Sequence, residues 1–268
     1  MENKVVIVTG ASSGIGKALV IELMSKNAKV VMASRNKAVL DEIINKYNFK
    51  DTDILTVETD VSKEEDCKKL IDATINKFGS IDILINNAGI SMRALFEDLN
   101  IDVIKRVMDV NFWGTVYCTK YALPYLLNSK GSVVGVSSIA GVKGLPCRTG
   151  YSASKFAIQG LLEVIRIENM KNNLHVLIAY PGFTASNIRN VALSKDGSAQ
   201  GESPLDESKL MTSEEVAKRI IKATIKRKRS LVMTSQGKMT VLLNKFFPKL
   251  VDKLVYNHMA KEPNSPLK

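Results

Sequence analysis

Tyr151 and Lys155 stand four residues apart in a stretch of helical periodicity, so their side chains share one helix face. A phenol titrates near ~10, too high for an efficient base at neutral pH. A neighbouring ammonium favours the phenolate, so Lys155 is expected to lower that value. Ser138 precedes Tyr151 by thirteen residues and follows a predicted strand over 132–136, so its hydroxyl can reach the same cleft and hydrogen-bond a substrate oxygen. A phenol, an ammonium and a hydroxyl gathered in this way can move a proton to or from an oxygen atom. A Tyr-x-x-x-Lys pair also arises as an ordinary surface pair, so the reading depends on the rest of the chain.

A second cluster follows the first apolar run. Residues 5–8 lead into Thr9, Gly10, Ala11, Ser12, Ser13, Gly14, Ile15 and Gly16, and a helical pattern continues over about 15–26. Glycines there let the backbone turn tightly and approach a diphosphate without a Cβ in the way. The helix start adds free N–H groups and the positive end of its dipole. An ordinary glycine turn is the plain alternative, weakened by the position between a strand and a helix. After the second predicted strand, over 29–33, come Ser34, Arg35 and Asn36. A carboxylate there would bind a ribose 2′-hydroxyl, whereas Arg35 suits a 2′-phosphate, with Ser12 as an added donor. These residues favour NADP(H) over NAD(H); the alternative is that Arg35 merely faces solvent.

Such groups need a scaffold that brings them to one edge. Short β-branched runs at 5–8, 29–33, 54–58, 83–85, 132–136, 175–179 and 231–233 alternate with helical stretches that include 64–78, 101–127, 151–170 and 213–226. The alternation predicts an α/β fold: a single-domain, Rossmann-type doubly wound parallel sheet of about seven strands with helices on both faces. Its ligand cleft should lie at the carboxyl ends of the strands. One domain is expected over 1–268, with a core over 3–235 and a C-terminal amphipathic helix and tail over 238–268. The polar segment 186–210 reads as a mobile loop or short helical lid, and 261–268, with Pro263 and Pro266, as a frayed tail.

Composition narrows the classes further. The chain has 268 residues, 45% hydrophobic and 24% charged, as expected of a globular protein large enough to need no covalent staples. Its three cysteines suggest no disulfide framework, and two histidines without a Cys-x-x-Cys pair predict no metal site. The first residues lack a secretory pattern and no apolar run approaches ~18 residues, so a cytoplasmic location is expected. The net charge of +11 is concentrated late, in Lys222, Lys226, Arg227, Lys228 and Arg229, and could attract nucleic acid or an anionic membrane. No nucleic-acid-binding motif accompanies it, so a solvated basic helix end is preferred and no nucleic-acid partner is expected.

Together the motifs resemble the short-chain dehydrogenase/reductase family over about residues 3–235. Thr9 to Gly16 matches the family's Thr-Gly-x-x-x-Gly-x-Gly, and Asn86, Asn87, Ala88 and Gly89 match its Asn-Asn-Ala-Gly, which supports the sheet and lines the adenosine side. Asp60 and Val61 match the adenine-contacting pair, and Pro181, Gly182 and Thr184 the segment against nicotinamide. The resemblance implies that Asn111, Ser138, Tyr151 and Lys155 form the catalytic tetrad. Tyr151 would protonate an oxygen while hydride passes from nicotinamide to the carbonyl carbon, and Ser138 would orient and polarise that oxygen. Lys155 would also hold the nicotinamide ribose, and positive nicotinamide would lower the Tyr151 pKa further. Asn111, at a local distortion of a long helix, would bind a water of a proton relay; without the resemblance it reads as a surface residue. A homodimer or homotetramer through the helices over 101–127 and 151–170 is also implied.

The substrate is expected to be a small carbonyl or alcohol. A pocket built from Val142, Leu145, Pro146, residues 92–96, Phe183 and 186–210 would be mostly apolar, suiting an acyl chain, sterol, retinoid or sphingoid-like molecule. Residues 241–256 carry apolar positions at helical spacing, with Lys245, Lys249 and Lys253 on another stripe. Such a helix could lie on an anionic membrane, fill a subunit interface or cover the substrate mouth. It resembles the tails of hydroxysteroid-dehydrogenase-like members. A carbonyl reductase or alcohol dehydrogenase is the leading reading. An epimerase or dehydratase would want a larger substrate domain, and a non-catalytic NADP-binding regulator or scaffold would not need Ser138, Tyr151 and Lys155 together.

Overall fold

A computed structural model describes residues 1–267. Valine- and isoleucine-rich runs form seven strands: β1 (Val5–Thr9), β2 (Lys29–Ser34), β3 (Ile54–Glu58), β4 (Ile83–Asn86), β5 (Ser132–Val136), β6 (His175–Tyr180) and β7 (Ser230–Val232). They pair in the order β3-β2-β1-β4-β5-β6-β7, every pair parallel. All residues of β1, β4, β5 and β6 are buried, as expected of strands covered on both faces.

On one face α1 (Gly14–Met24), α2 (Lys37–Tyr47) and α7 (Ser213–Ile225) close a core through residues such as Leu19, Leu23, Leu40 and Ile220. On the other, α3 (Glu64–Phe78), α5 (Gly114–Asn128) and α6 (Thr149–Glu168) contribute Leu70, Cys118, Leu126, Ile158 and Leu162. Between β1 and β4 the strand order reverses, which opens a crevice at the carboxyl ends of the strands. Local signals set the helix ends: Thr212 Oγ1 accepts the Glu215 N–H at 3.1 Å, and α2 stops at Asn48 in the left-handed region.

The stretch 101–127 is helical throughout, with a distortion at Asn111: α4 (Ile101–Met108) runs through a π turn, Asp109–Trp113, into α5. Two expectations need correction. Residues 241–256 belong to two helices, α8 (Ser235–Phe246) and α9 (Pro248–Ala260). Pro248 has no N–H to donate and its ring would meet the carbonyl four residues back, so it starts a helix rather than continuing one. The tail is not frayed at its start, because Glu262 is only 7% exposed; Lys268, also assigned to that tail, lies outside the described residues. The segment 186–210 carries one short 3-10 turn, Glu207–Lys209, and is cross-tied by Arg189 and Glu207 at 2.6 Å.

Candidate active site

The turn after β1 is fastened to the turn after β4. Thr9 Oγ1 accepts the N–H groups of Asn87 and Ala88, both at 3.0 Å, and Asn87 Nδ2 donates to the Thr9 carbonyl at 2.9 Å. Gly10 (φ +66°) and Gly14 (φ +50°) hold left-handed conformations that side chains resist, and a Cβ on Gly16 would stand 2.0 Å from the Gly10 carbonyl oxygen. Ser13, the residue flanking α1, makes no side-chain cap. The first N–H groups of α1 are therefore left for a ligand, and an anion fits there.

Around this cradle lies a cavity of about 1230 Å³. Every residue expected at the cofactor lines it: Gly10, Ser12, Ser13, Gly14, Ile15, Gly16, Ser34, Arg35, Asn36, Asp60, Val61, Asn87, Ala88, Gly89, Tyr151, Lys155, Pro181, Gly182 and Thr184. Several also serve the scaffold. Asn36 Oδ1 caps α2 by accepting the Val39 N–H at 3.3 Å, and Asp60 Oδ1 accepts the Ser62 hydroxyl at 2.7 Å. Thr184 Oγ1 donates to the Gly182 carbonyl at 3.1 Å. Arg35 differs: it is exposed at the rim and has no partner among the described residues.

At the other end of the cradle, Lys155 is buried and donates to the Val136 carbonyl at 2.9 Å. Its Nζ lies 5.7 Å from the centre of the Tyr151 ring, and burial pushes its pKa down to about 8. Burial pushes the Tyr151 phenol up, opposed by its hydrogen bond with Ser138 and then by the charges of Arg148 and Arg189. This corrects the expected net lowering by Lys155: desolvation outweighs every favourable charge at this phenol. The phenol therefore keeps its proton near neutrality, with the Ser138 hydroxyl beside it.

Asn111 sits in the π turn with no solvent exposure, not at the surface. It accepts the Ile90 N–H at 2.8 Å and donates to the Ile90 carbonyl at 3.0 Å and to Ser154 Oγ at 2.9 Å. It stands behind the cavity wall: a Cβ on Gly89 would be 3.2 Å from Asn111 Oδ1 and 3.4 Å from Lys155 Nζ. Of the four expected catalytic side chains, Ser138, Tyr151 and Lys155 reach the cavity and Asn111 does not.

The apolar half of the cavity only partly matches expectation. Leu145, Phe183 and parts of 186–210 line it, but Val142, Pro146 and residues 92–96 do not. Met92 and Ala94 turn inward to pack with Val103 and Val107, while Phe96 faces solvent. Their place is taken by Ile90 and Ser91 and by Met239, Leu243, Val251, Leu254, Val255, His258 and Met259 from α8 and α9. That amphipathic stretch thus lies against the cavity. Arg148, Arg189 and Glu262 carried no sequence signal, because their importance lies in contacts between distant segments. No cluster among the described residues could hold a metal ion, and no described helix is long and apolar enough to cross a membrane.

The chain is similar to known proteins in sequence and in fold. A family model described as short chain dehydrogenase matches residues 4–196. The chain is similar to an 11-beta-hydroxysteroid dehydrogenase A of Arachis hypogaea, 37% identical over 98% of this chain and 78% of the relative. It is also similar to an uncharacterized oxidoreductase of Bacillus subtilis, 32% identical over 99% of this chain and 76% of the relative. Among solved structures, a short chain dehydrogenase/reductase of Burkholderia phymatum in complex with NAD aligns at TM-score 0.83 and 22% identity, covering 100% of this chain and 98% of that one. An alcohol dehydrogenase of Thermococcus sibiricus complexed with 5-hydroxy-NADP aligns at TM-score 0.73 and 23% identity, covering 87% and 96%. At those identities the solved neighbours speak to the fold. With most of its length matched by the family and by relatives above 30% identity, the chain belongs to the short-chain dehydrogenase family and is an oxidoreductase.

Proposed function

We propose that this protein is an NADP(H)-dependent carbonyl reductase or alcohol dehydrogenase of an apolar, lipid-like substrate. The observation that carries the reading is one continuous cavity, glycine-lined at one end and apolar at the other, with Ser138, Tyr151 and Lys155 between. Gly10, Gly14, Gly16 and the open start of α1 would hold the diphosphate, and Pro181, Gly182 and Thr184 the nicotinamide end. Arg35, unpaired at the end of β2, supports the 2′-phosphate form, and no carboxylate stands at Ser34, Arg35 or Asn36 to repel it. A bound nicotinamide nucleotide supplies the hydride.

In reduction Tyr151 gives its proton to the substrate oxygen while Ser138 donates a hydrogen bond to it as negative charge develops. The raised phenol pKa supports this direction, since the donor is loaded near neutrality. Lys155, fixed by the Val136 carbonyl, holds positive charge beside the ring and offers donors to the ribose. Asn111 fixes the π turn and the Ile90 backbone from behind the cavity wall.

The names of the relatives support a steroid-like or other lipid substrate. Exposed Leu242, Phe246, Phe247 and Leu250, with Lys245 and Lys249 nearby, support peripheral contact with an anionic membrane. Exposed Trp113, Phe156 and Ile167 on the second face of the fold support a homodimer or homotetramer. The test is purified protein with NADPH or NADH and trans-1-decalone, a bulky apolar ketone. NADPH consumed one-for-one with alcohol formed is expected; no consumption of either nucleotide with decalone, a 3-oxosteroid or a long-chain aldehyde would overturn the reading.

A further inference from the structure

The end of the chain reaches the helix that carries Tyr151. Glu262, two residues past α9, places Oε2 3.2 Å from Arg148 Nη2 and 3.3 Å from Arg93 Nη2. Arg93 Nη2 also donates to the Pro263 carbonyl at 2.7 Å. The side chains of Glu262, Arg93 and Arg148 are only 3%, 8% and 10% exposed, so their charges depend on one another for solvation. Arg148 is the residue flanking α6, three before Tyr151. Arg93 follows Met92, whose Sδ accepts the Gly150 N–H at 3.2 Å. One carboxylate therefore joins two segments that flank Tyr151.

α9 needs such a tether. Of its thirteen residues only Val251 and Met259 are buried. Its early part is held by an ion pair between Asp252 and Lys143, on the loop that leads to α6. Beyond its end, Asn264 Nδ2 donates to Glu202 Oε1 at 3.1 Å. Between these ties, Leu254, Val255, His258 and Met259 face the apolar half of the cavity, and the His258 ring stacks on Phe183 with centroids 6.0 Å apart. The helix is suspended by charge across the mouth rather than sunk into the core.

We propose that Glu262 is a positioning residue of the active site: it holds α9 as the outer wall of the substrate half of the cavity and fixes the first turn of α6, where Tyr151 stands. The inference rests on the function proposed above, but its first test does not. Hydrogen exchange is compared in the full-length protein and in Glu262→Gln. The amides of residues 148–154 and 250–263 are expected to exchange about tenfold faster in the variant, with β1 and α1 unchanged. Faster exchange in 250–263 alone, everywhere equally, or nowhere would overturn the proposal. Glu262→Asp keeps the charge and is expected to give intermediate rates in the same two segments; it decides the matter if the glutamine variant does not fold.

The second readout is steady-state reduction of trans-1-decalone. Glu262→Gln is expected to raise KM for the ketone about tenfold, leave kcat within about threefold and leave NADPH affinity unchanged, with Glu262→Asp recovering most of the loss. A fall in kcat at unchanged KM would mean fewer folded molecules and would overturn the positioning role. If wild-type protein does not turn over decalone or the other carbonyls, the functional reading fails, while hydrogen exchange still decides the role of Glu262.

Discussion

Gly16→Ala adds a single carbon where the fold leaves no space. That carbon would lie 2.0 Å from the Gly10 carbonyl oxygen, 2.6 Å from Asn87 Nδ2 and 2.8 Å from the Gly10 carbonyl carbon, whereas real Cβ atoms essentially never come within 3.0 Å. The nearest atom is a backbone oxygen, so the turn after β1 must retreat by about 1 Å, loosening the bonds from Asn87 to the Thr9 and Gly10 carbonyls. Overpacking of this kind costs about 1–3 kcal/mol, which in a chain of this size lowers the melting midpoint by roughly 2–5 °C. The same shift moves the α1 N–H groups away from a bound diphosphate. Losing two charge-assisted bonds of about 1.5 kcal/mol each weakens nucleotide binding roughly a hundredfold. Thermal melts and an NADPH fluorescence titration read both effects. Gly160→Ala is the control: nothing lies within 4 Å of its Cβ position, and α6 should gain about 0.5–1 kcal/mol. A Gly16→Ala protein that melts within about 1 °C of wild type and binds NADPH within threefold would refute the steric reasoning.

Arg35→Ser should weaken NADPH about tenfold and leave NADH within twofold; equal losses in parallel titrations would mean that Arg35 does not read the 2′-phosphate. Lys155 titrates at about 8 when folded, below its ordinary 10.5, so between those values the unfolded chain holds a proton that the folded chain has released. Stability should therefore rise with pH across that window by about 1.4 kcal/mol per unit, and below it the buried ammonium costs roughly 3 kcal/mol. Lys155→Met should abolish this rise when denaturant curves are compared from pH 8 to 10, and parallel slopes would contradict it. Asn111→Ala removes three buried hydrogen bonds and should destabilise the protein by about 2–4 kcal/mol, measured by urea unfolding. A loss below about 0.5 kcal/mol would show that the π turn holds without its side chain.

The sheet was legible because a parallel sheet buried on both faces demands unbroken runs such as Val5–Thr9, and the glycine cradle because its steric demand leaves only one residue type. The residues expected at the cofactor come together around one cavity in the structure. What escaped was set by contacts between segments far apart in the chain. Nothing local to Glu262 tells that it reaches Arg148, 114 residues away, and a charged residue near a terminus ordinarily stays in solvent. The break between α8 and α9 was written in Pro248, but the apolar stripe on either side of it masked the stop. The sign at Tyr151 was missed because charge partners can be read from spacing, whereas burial depends on the whole fold.

Tyr151 is proposed to supply the proton for hydride transfer beside the nucleotide. Tyr151→Phe keeps the ring and removes only the oxygen, so single-turnover oxidation of bound NADPH by trans-1-decalone, read beside NADPH affinity, tests it most directly. Transfer is expected to slow by about 10²–10⁴-fold while NADPH affinity stays within about threefold. Transfer at near wild-type speed in Tyr151→Phe would contradict it.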